Sequence, residues 1–148
     1  MPIFPSASTF GDAEEIICDF MDDILKDVDP RPQVGTWIAD SANDYIDHDG
    51  GSAVIVRRQG GATDYRDRAS VDDAQIQLSV ISKTRAESWE IISYIRQKCY
   101  ELSHGGVVGD WRITYIREAD GPQNGLYEDN SMRLVRFYFM FGIRRKSR

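Results

Sequence analysis

The stretch Asp73-Ala74-Gln75-Ile76-Gln77-Leu78-Ser79-Val80, followed by Ser82-Lys83-Thr84-Arg85-Ala86-Glu87, decides the fold. Its first part alternates. Ala74, Ile76, Leu78 and Val80 face one way and Gln75, Gln77 and Ser79 the other, the period of a strand with one dry face. The period then changes: Thr84 followed three residues later by Glu87 is a capping box, so a helix starts there. At about 100° per residue, Ser88, Ile91, Ile92, Ile95, Cys99 and Leu102 form one stripe, with Glu87, Glu90, Gln97, Lys98 and Glu101 mainly opposite. Gly105-Gly106 ends the helix, and Trp111-Arg112-Ile113-Thr114-Tyr115 alternates again. A greasy helix stripe beside a greasy strand face predicts a two-layer sandwich completed by further strands.

Upstream, Ala13, Ile16, Ile17, Phe20, Met21 and Ile24 recur at helical spacing, predicting a first helix over about 12–28. Asp12, Glu14 and Glu15 lie at its positive end, and Asp29-Pro30-Arg31-Pro32 stops it. Val34–Ala39 and Ala53–Arg58 read as strands, with Asp40–Gly51 as a polar loop between them. Gln59–Val71 reads as a long polar connection, and Asp120–Asn130 as a turn-rich loop. Met132–Ile143 is the last strand, with Val135, Phe137, Phe139, Phe141 and Ile143 on one face and Leu134, Arg136, Tyr138 and Met140 on the other. At about 3.3 Å per residue it is longer than a small sheet needs, so one end is expected to project or the second face to be covered. The expectation is an α+β fold: two helices packed on one face of a mainly antiparallel β-sheet, in the order α-β-β-β-α-β-β. Residues 1–148 would form a single domain, with an N-terminal arm at 1–10 and a basic tail at 144–148. Phe20, Ile76, Leu78, Ile92, Ile95 and Phe139 are expected to share the core.

Composition narrows the function. The 148 residues suit one domain, and the net charge of −6 argues against a basic nucleic-acid patch. No apolar run approaches the roughly 18 residues of a membrane span. The start of the chain has neither a basic n-region nor an h-region, so secretion is not expected. Cys18 and Cys99 lie in different predicted helices and are expected to be reduced thiols.

Catalytic and metal chemistry find no footing. Asp44-Tyr45-Ile46-Asp47-His48-Asp49-Gly50-Gly51 fails the calcium-loop pattern: with Gly50 sixth, the first and twelfth positions are Tyr45 and Val56. It reads as a solvated turn, with Gly-Gly supplying positive φ. His48 and His104 lie in separate predicted loops with no zinc spacing around them. There is no Gly-x-Ser-x-Gly and no Gly-rich phosphate loop. Asp64, Asp67, Asp72 and Asp73, interspersed with Arg66 and Arg68, read as a solvated mixed-charge surface rather than an acid–base pair. No enzyme activity, cofactor or metal is expected. Trp89, Tyr94 and Tyr100 lie off the helix stripe. Trp89 either flanks the core or anchors an interface.

The layout resembles the tail terminator proteins of long-tailed (siphovirus-type) bacteriophages. The resemblance is carried by the first amphipathic helix ending near Pro30 and by the break Gln59-Gly60-Gly61-Ala62-Thr63. It continues in Asp73–Val80 leading into a helix with Ala86 and Trp89, the Gly121-Pro122 loop, and the closing strand Arg133–Phe141. It covers about Asp12 to Arg144. It implies a structural virion protein of the tail and neck, assembled in the bacterial host cytoplasm. Six copies would form a hexameric ring that caps the tail tube and stops its polymerisation. The ring would join the major tail tube protein to neck and head-completion proteins beneath the portal, and DNA would pass through its acidic bore without sequence-specific binding. The basic tail departs from that picture and is placed on an outer or partner-facing surface. Alternatives are a neck or head-closure protein of the same virion, or a small acidic inhibitor or immunity-type protein masking a basic partner. The expected interface residues are Asp64, Tyr65, Arg66, Asp67 and Arg68, with Trp89 and Tyr127, Glu128 and Asp129.

Overall fold

The computed structural model describes residues 10–37, 40–63, 71–125 and 133–146. Its elements follow in order as α1 (Ala13–Ile24), β1 (Gln33–Gly35), α2 (Asp40–Asp49), β2 (Ser52–Thr63), β3 (Asp72–Ser82), α3 (Arg85–Glu101), β4 (Gly106–Val108), β5 (Trp111–Gly125) and β6 (Leu134–Arg145). The strands form one sheet in the order β1-β2-β3-β6-β5-β4. Among the described residues, only the β1–β2 pairing is parallel. The fold is thus α+β with a mainly antiparallel sheet, as expected, but with a third helix, α2, and a further short edge strand, β4, that the periodicity does not announce; the first expected strand, Val34–Ala39, is present as β1 over Gln33–Gly35 only.

Both amphipathic helices begin where their capping residues dictate. Asp12 accepts the backbone N–H groups of Glu14 and Glu15 at 3.0 and 3.3 Å, and Thr84 accepts that of Glu87 at 3.2 Å. α1 ends earlier than the sequence suggests, at Ile24 with Leu25 as its cap. The apolar stripes of α1 and α3 lie on the same face of the sheet. There Ile17, Phe20, Met21, Ile92, Ile95 and Cys99 meet Val56, Ile76, Leu78, Phe137, Phe139 and Phe141 in one cluster. The six expected core residues are all in it. Phe20 meets Phe141 edge-to-face, with ring centroids 6.1 Å apart, a contact worth about 0.5–1.5 kcal/mol beyond its buried area. α1 touches β1 and β2 at one edge of the sheet and β4 at the other, so the sheet curls around this helix.

Four expectations need correction. Asp40–Gly51 is largely helix α2, not a loop. Only Ala42 and Ile46 of that helix are buried hydrophobics, and they pack on Ala53, Ile55 and Ile81 on the opposite face of the sheet. Two apolar residues at i and i+4 are too few to stand out as a period. β2 continues through Gly60 and Gly61 to Thr63, so the connection shortens to 64–71. Gly61 is at φ +89, and a Cβ there would lie 1.9 Å from the carbonyl oxygen of Asp73. Glycine therefore lets the strand run on through a bulge. β5 likewise continues through Gly121 and Pro122 to Gly125, with register shifts along its ladder to β6. Finally, β6 does not project past the sheet. It is an inner strand, paired with β3 from Leu134 to Ile143 and with β5 from Leu134 to Arg145, so the start of the basic tail is sheet. Its second face is partly covered among the described residues, at Leu134 beside α2 and at Gly142 beneath the Tyr115 ring.

Candidate functional site

The ladders fix where the two long connections leave the sheet. At one end Thr63 pairs with Asp72 and Asp72 with Ile143. At the other, Ser52 pairs with Ser82, Ile81 with Leu134, and Leu134 with Gly125. The 64–71 connection and the connection following Gly125 are therefore rooted at opposite ends of the sheet, one strand length apart.

The first root is clamped by charge. Arg58 holds Asp72 through both guanidinium nitrogens, at 2.6 and 2.7 Å, and its Nε donates to the carbonyl of Gly60 at 3.0 Å. The Arg58 backbone N–H donates to Glu14 of α1 at 3.0 Å, satisfying an amide on the outer side of β2. The hydrogen bonds to Asp72 raise the Arg58 pKa further above its ordinary value, so the guanidinium stays charged. Asp72 is only 6% exposed. It is a buried ion-pair partner, not part of a solvated surface. Its neighbour Asp73 accepts the Tyr115 hydroxyl. Burial and that hydrogen bond push Tyr115 up to about 12.

The second root is held by a buried hydroxyl. Ser88 is fully buried. Its Oγ accepts the Ser82 backbone N–H at 3.1 Å and donates to the carbonyl of Arg133 at 2.5 Å. The Ser82 hydroxyl donates to the carbonyl of Thr84 at 2.7 Å. Arg133 in turn pairs with Asp47 of α2 at 2.9 Å. The next residue of α3, Trp89, donates from Nε1 to Asn124 Oδ1 of β5 at 2.9 Å, and Arg85 lies 5.5 Å from its ring centroid.

Of the expected interface residues, Trp89 alone is described. It is half-buried and fastens α3 to β5, so its indole N–H is already used within the chain. Asp64, Tyr65, Arg66, Asp67, Arg68, Tyr127, Glu128 and Asp129 lie outside the described residues. The Arg58–Asp72 clamp and the Ser88 hub were not legible. Ser88 sits on the apolar stripe by spacing, and a serine there carries no sign of its partners. Both cysteines are free. Burial, with Asp22 and Asp19 adding to it, pushes the Cys18 thiol up to about 11, and burial pushes Cys99 up to about 12. They are inert thiols at neutral pH.

Among the described residues, no three His, Cys, Asp or Glu side chains converge as a metal site, and no helix is long and apolar enough to cross a membrane. What the two clamped roots can do is present polypeptide at both ends of a rigid sheet. Compared with known families, the chain matches the phage tail termination proteins over residues 9–148, nearly its whole length. The chain belongs to that family. No curated protein matches it. As a phage tail termination protein it is a structural component of the virion tail, and such a protein works by contact with other tail components. Its long connections and clamped loop roots suit that work.

Proposed function

We propose that this tail termination protein assembles into a hexameric ring that caps the tail tube, halts tube growth and joins the tube to the neck. One end of each sheet meets the last ring of tube protein, and the other meets the head-completion proteins beneath the portal. DNA crosses the bore. The observation that carries this reading, beyond family membership, is the rooting of the two long connections at opposite ends of one sheet. A subunit that must hold a different neighbour on each side of a ring needs two such ends. Charge supports the passage of DNA: six copies at −6 each carry −36, which gives phosphates little to bind. Residues Asp64–Arg68, alternating in sign around Tyr65, and Tyr127–Asp129 are the contact segments, since such side chains form charge pairs and aromatic anchors against a partner.

The test is assembly. Light scattering of the protein, alone and mixed with the tail tube and neck proteins, should give a particle of about six chains, and added protein should limit tube length in electron micrographs. A particle that stays monomeric in every mixture refutes the ring. Replacing Asp64–Arg68 with Gly and Ser should leave the melting temperature unchanged and weaken tube capping. Undiminished capping would move the contact elsewhere.

A further inference from the structure

The open face of the sheet carries charge opposite to the net charge of the chain. Val54, Val56, Ile76, Leu78, Phe137 and Phe139 point into the helix layer, so their neighbours along each strand point away from it. Five arginines of the strands lie on that open face: Arg57 on β2, Arg136 and Arg144 on β6, and Arg112 and Arg117 on β5. Against them stand Asp73, which accepts the Tyr115 hydroxyl, and Asp120, which accepts from Gln123 at 3.2 Å. Arg57, Arg112 and Arg136 are exposed, and among the described residues none has an ion-pair partner. Tyr138 and Met140 lie half-buried between the arginines. Arg, Tyr and Met are side chains that concentrate at protein interfaces.

The opposite side of the molecule is acidic. α1 buries Ala13, Ile17, Phe20 and Met21 and turns Glu15, Asp19 and Asp23 outward, one row at i, i+4 and i+8. Glu15 and Asp19 have no ion-pair partner among the described residues, and Asp23 has only Lys26, at 3.5 Å. The row is about 12 Å long at 1.5 Å per residue. Arg136 and Arg117, on neighbouring strands and offset along them, stand about 14 Å apart by strand geometry. The two rows match in length and oppose in sign.

Symmetry decides how copies can use these faces. A two-fold axis through either face would set like charge on like. A front-to-back contact, open sheet face on α1 face, brings the two signs together. Such a heterologous contact builds a ring when its rotation closes. With the sheet ends given to tube and neck, the two broad faces remain for lateral neighbours. Duplex DNA fits the open face less well. The sheet curls around α1, which makes that face convex, and α2 borders it with the exposed carboxylates Asp44 and Asp49, which repel phosphate.

We propose that the open sheet face of one copy, at Arg57, Arg117 and Arg136 around Tyr138, docks on the α1 row Glu15, Asp19 and Asp23 of a second copy. The inference rests on the ring reading above, and the experiment separates the two. Two charge-reversed proteins carry it: Arg57→Glu with Arg136→Glu, and Glu15→Arg with Asp19→Arg. All four positions are exposed, so both proteins should keep the parent's circular dichroism and melting. Alone, each sets like charge on like and should associate at least about tenfold more weakly than the parent in light scattering. Mixed one to one, they should recover assembly by alternating, because each reversed face finds its complement on the other protein. The chain with all four reversals should assemble by itself. If the parent forms rings and both variants form them equally well alone, the docking is refuted and the ring stands. Loss in each variant without recovery in the mixture also refutes it. If the parent retains a fluorescent DNA duplex, and Arg57→Glu with Arg136→Glu releases it while assembly is unchanged, the face serves phosphate and the proposal falls. Where the parent forms no ring, amide spectra of labelled protein at rising concentration decide. Shifts around both Arg136 and Asp19 keep the contact while the ring reading fails, and silence at both refutes both.

Discussion

Replacing Ser88 with Ala removes a single oxygen from α3, and two views of that residue differ in sign about the result. On the helix stripe alone, Ser88 is a small residue among Ile92, Ile95 and Cys99. Alanine, the better helix former by a few tenths of a kcal/mol, would then be neutral or slightly stabilising. The structure puts the oxygen between two backbone groups, the Ser82 N–H and the Arg133 carbonyl, at a position with no exposure. Each buried polar group left unpaired costs about 1–3 kcal/mol. The Arg133 carbonyl is only part-buried, so water recovers part of its share, and the net loss should be about 2–3 kcal/mol. With an m-value near 2 kcal/mol/M in urea, the midpoint should fall by about 1–1.5 M with the slope unchanged. Ser82→Ala combined with Ser88→Ala should show coupling, because the two hydroxyls lie 2.8 Å apart. A loss under about 0.5 kcal/mol, the size of a surface effect, would show that the hub does not hold the connection to β6.

Asp72→Asn keeps the shape but removes the charge facing Arg58. With side-chain exposures of 9% and 32%, the pair lies between the exposed and buried cases, so urea denaturation should show a loss of about 2 kcal/mol; an unchanged midpoint would mean water serves Arg58 equally well. Ile95→Ala empties a fully buried site under β3 and β6 and should cost about 2–5 kcal/mol; a loss below 1 kcal/mol would mean the cavity closes by repacking. Stability should be level near neutral pH and fall between about pH 9 and 12. Cys99, Cys18 and Tyr115 ionise in the unfolded chain near their ordinary values of 9.0 to 10.0, but in the fold only near 11 to 12. Their raised values favour the fold below the unfolded pKa, and that advantage is lost as pH climbs through the folded one. Cys99→Ala should flatten the part of this fall due to the most buried thiol, and a pH-independent midpoint across the range would refute the burial argument.

The strongly periodic elements were legible because periodicity reports how many faces are dry. β3 alternates Ala74, Ile76, Leu78 and Val80 with polar residues since one face meets the helices and the other is only partly covered. The phenylalanines of β6 and the isoleucines of α3 carry the same information, and together they sufficed to place the core and to suggest the family. Caps were legible too, because Asp12 and Thr84 act on amides a few residues away. What the tertiary structure decided was everything whose stabilising partner is distant in sequence. α2 has only Ala42 and Ile46 to bury, and it is a helix because Ala53, Ile55 and Ile81 offer a surface for them. β2 crosses two glycines because β3 pairs with both, and β5 runs on past Gly121 and Pro122 because its ladder to β6, skipped at those two residues, resumes at Gln123. Asp72, a carboxylate in a polar stretch, is buried only because Arg58 arrives from the paired strand, and Ser88 is a hub only because the Arg133 carbonyl lies across from it. A local pattern records burial on one's own element; which group stands opposite is written in the register between elements.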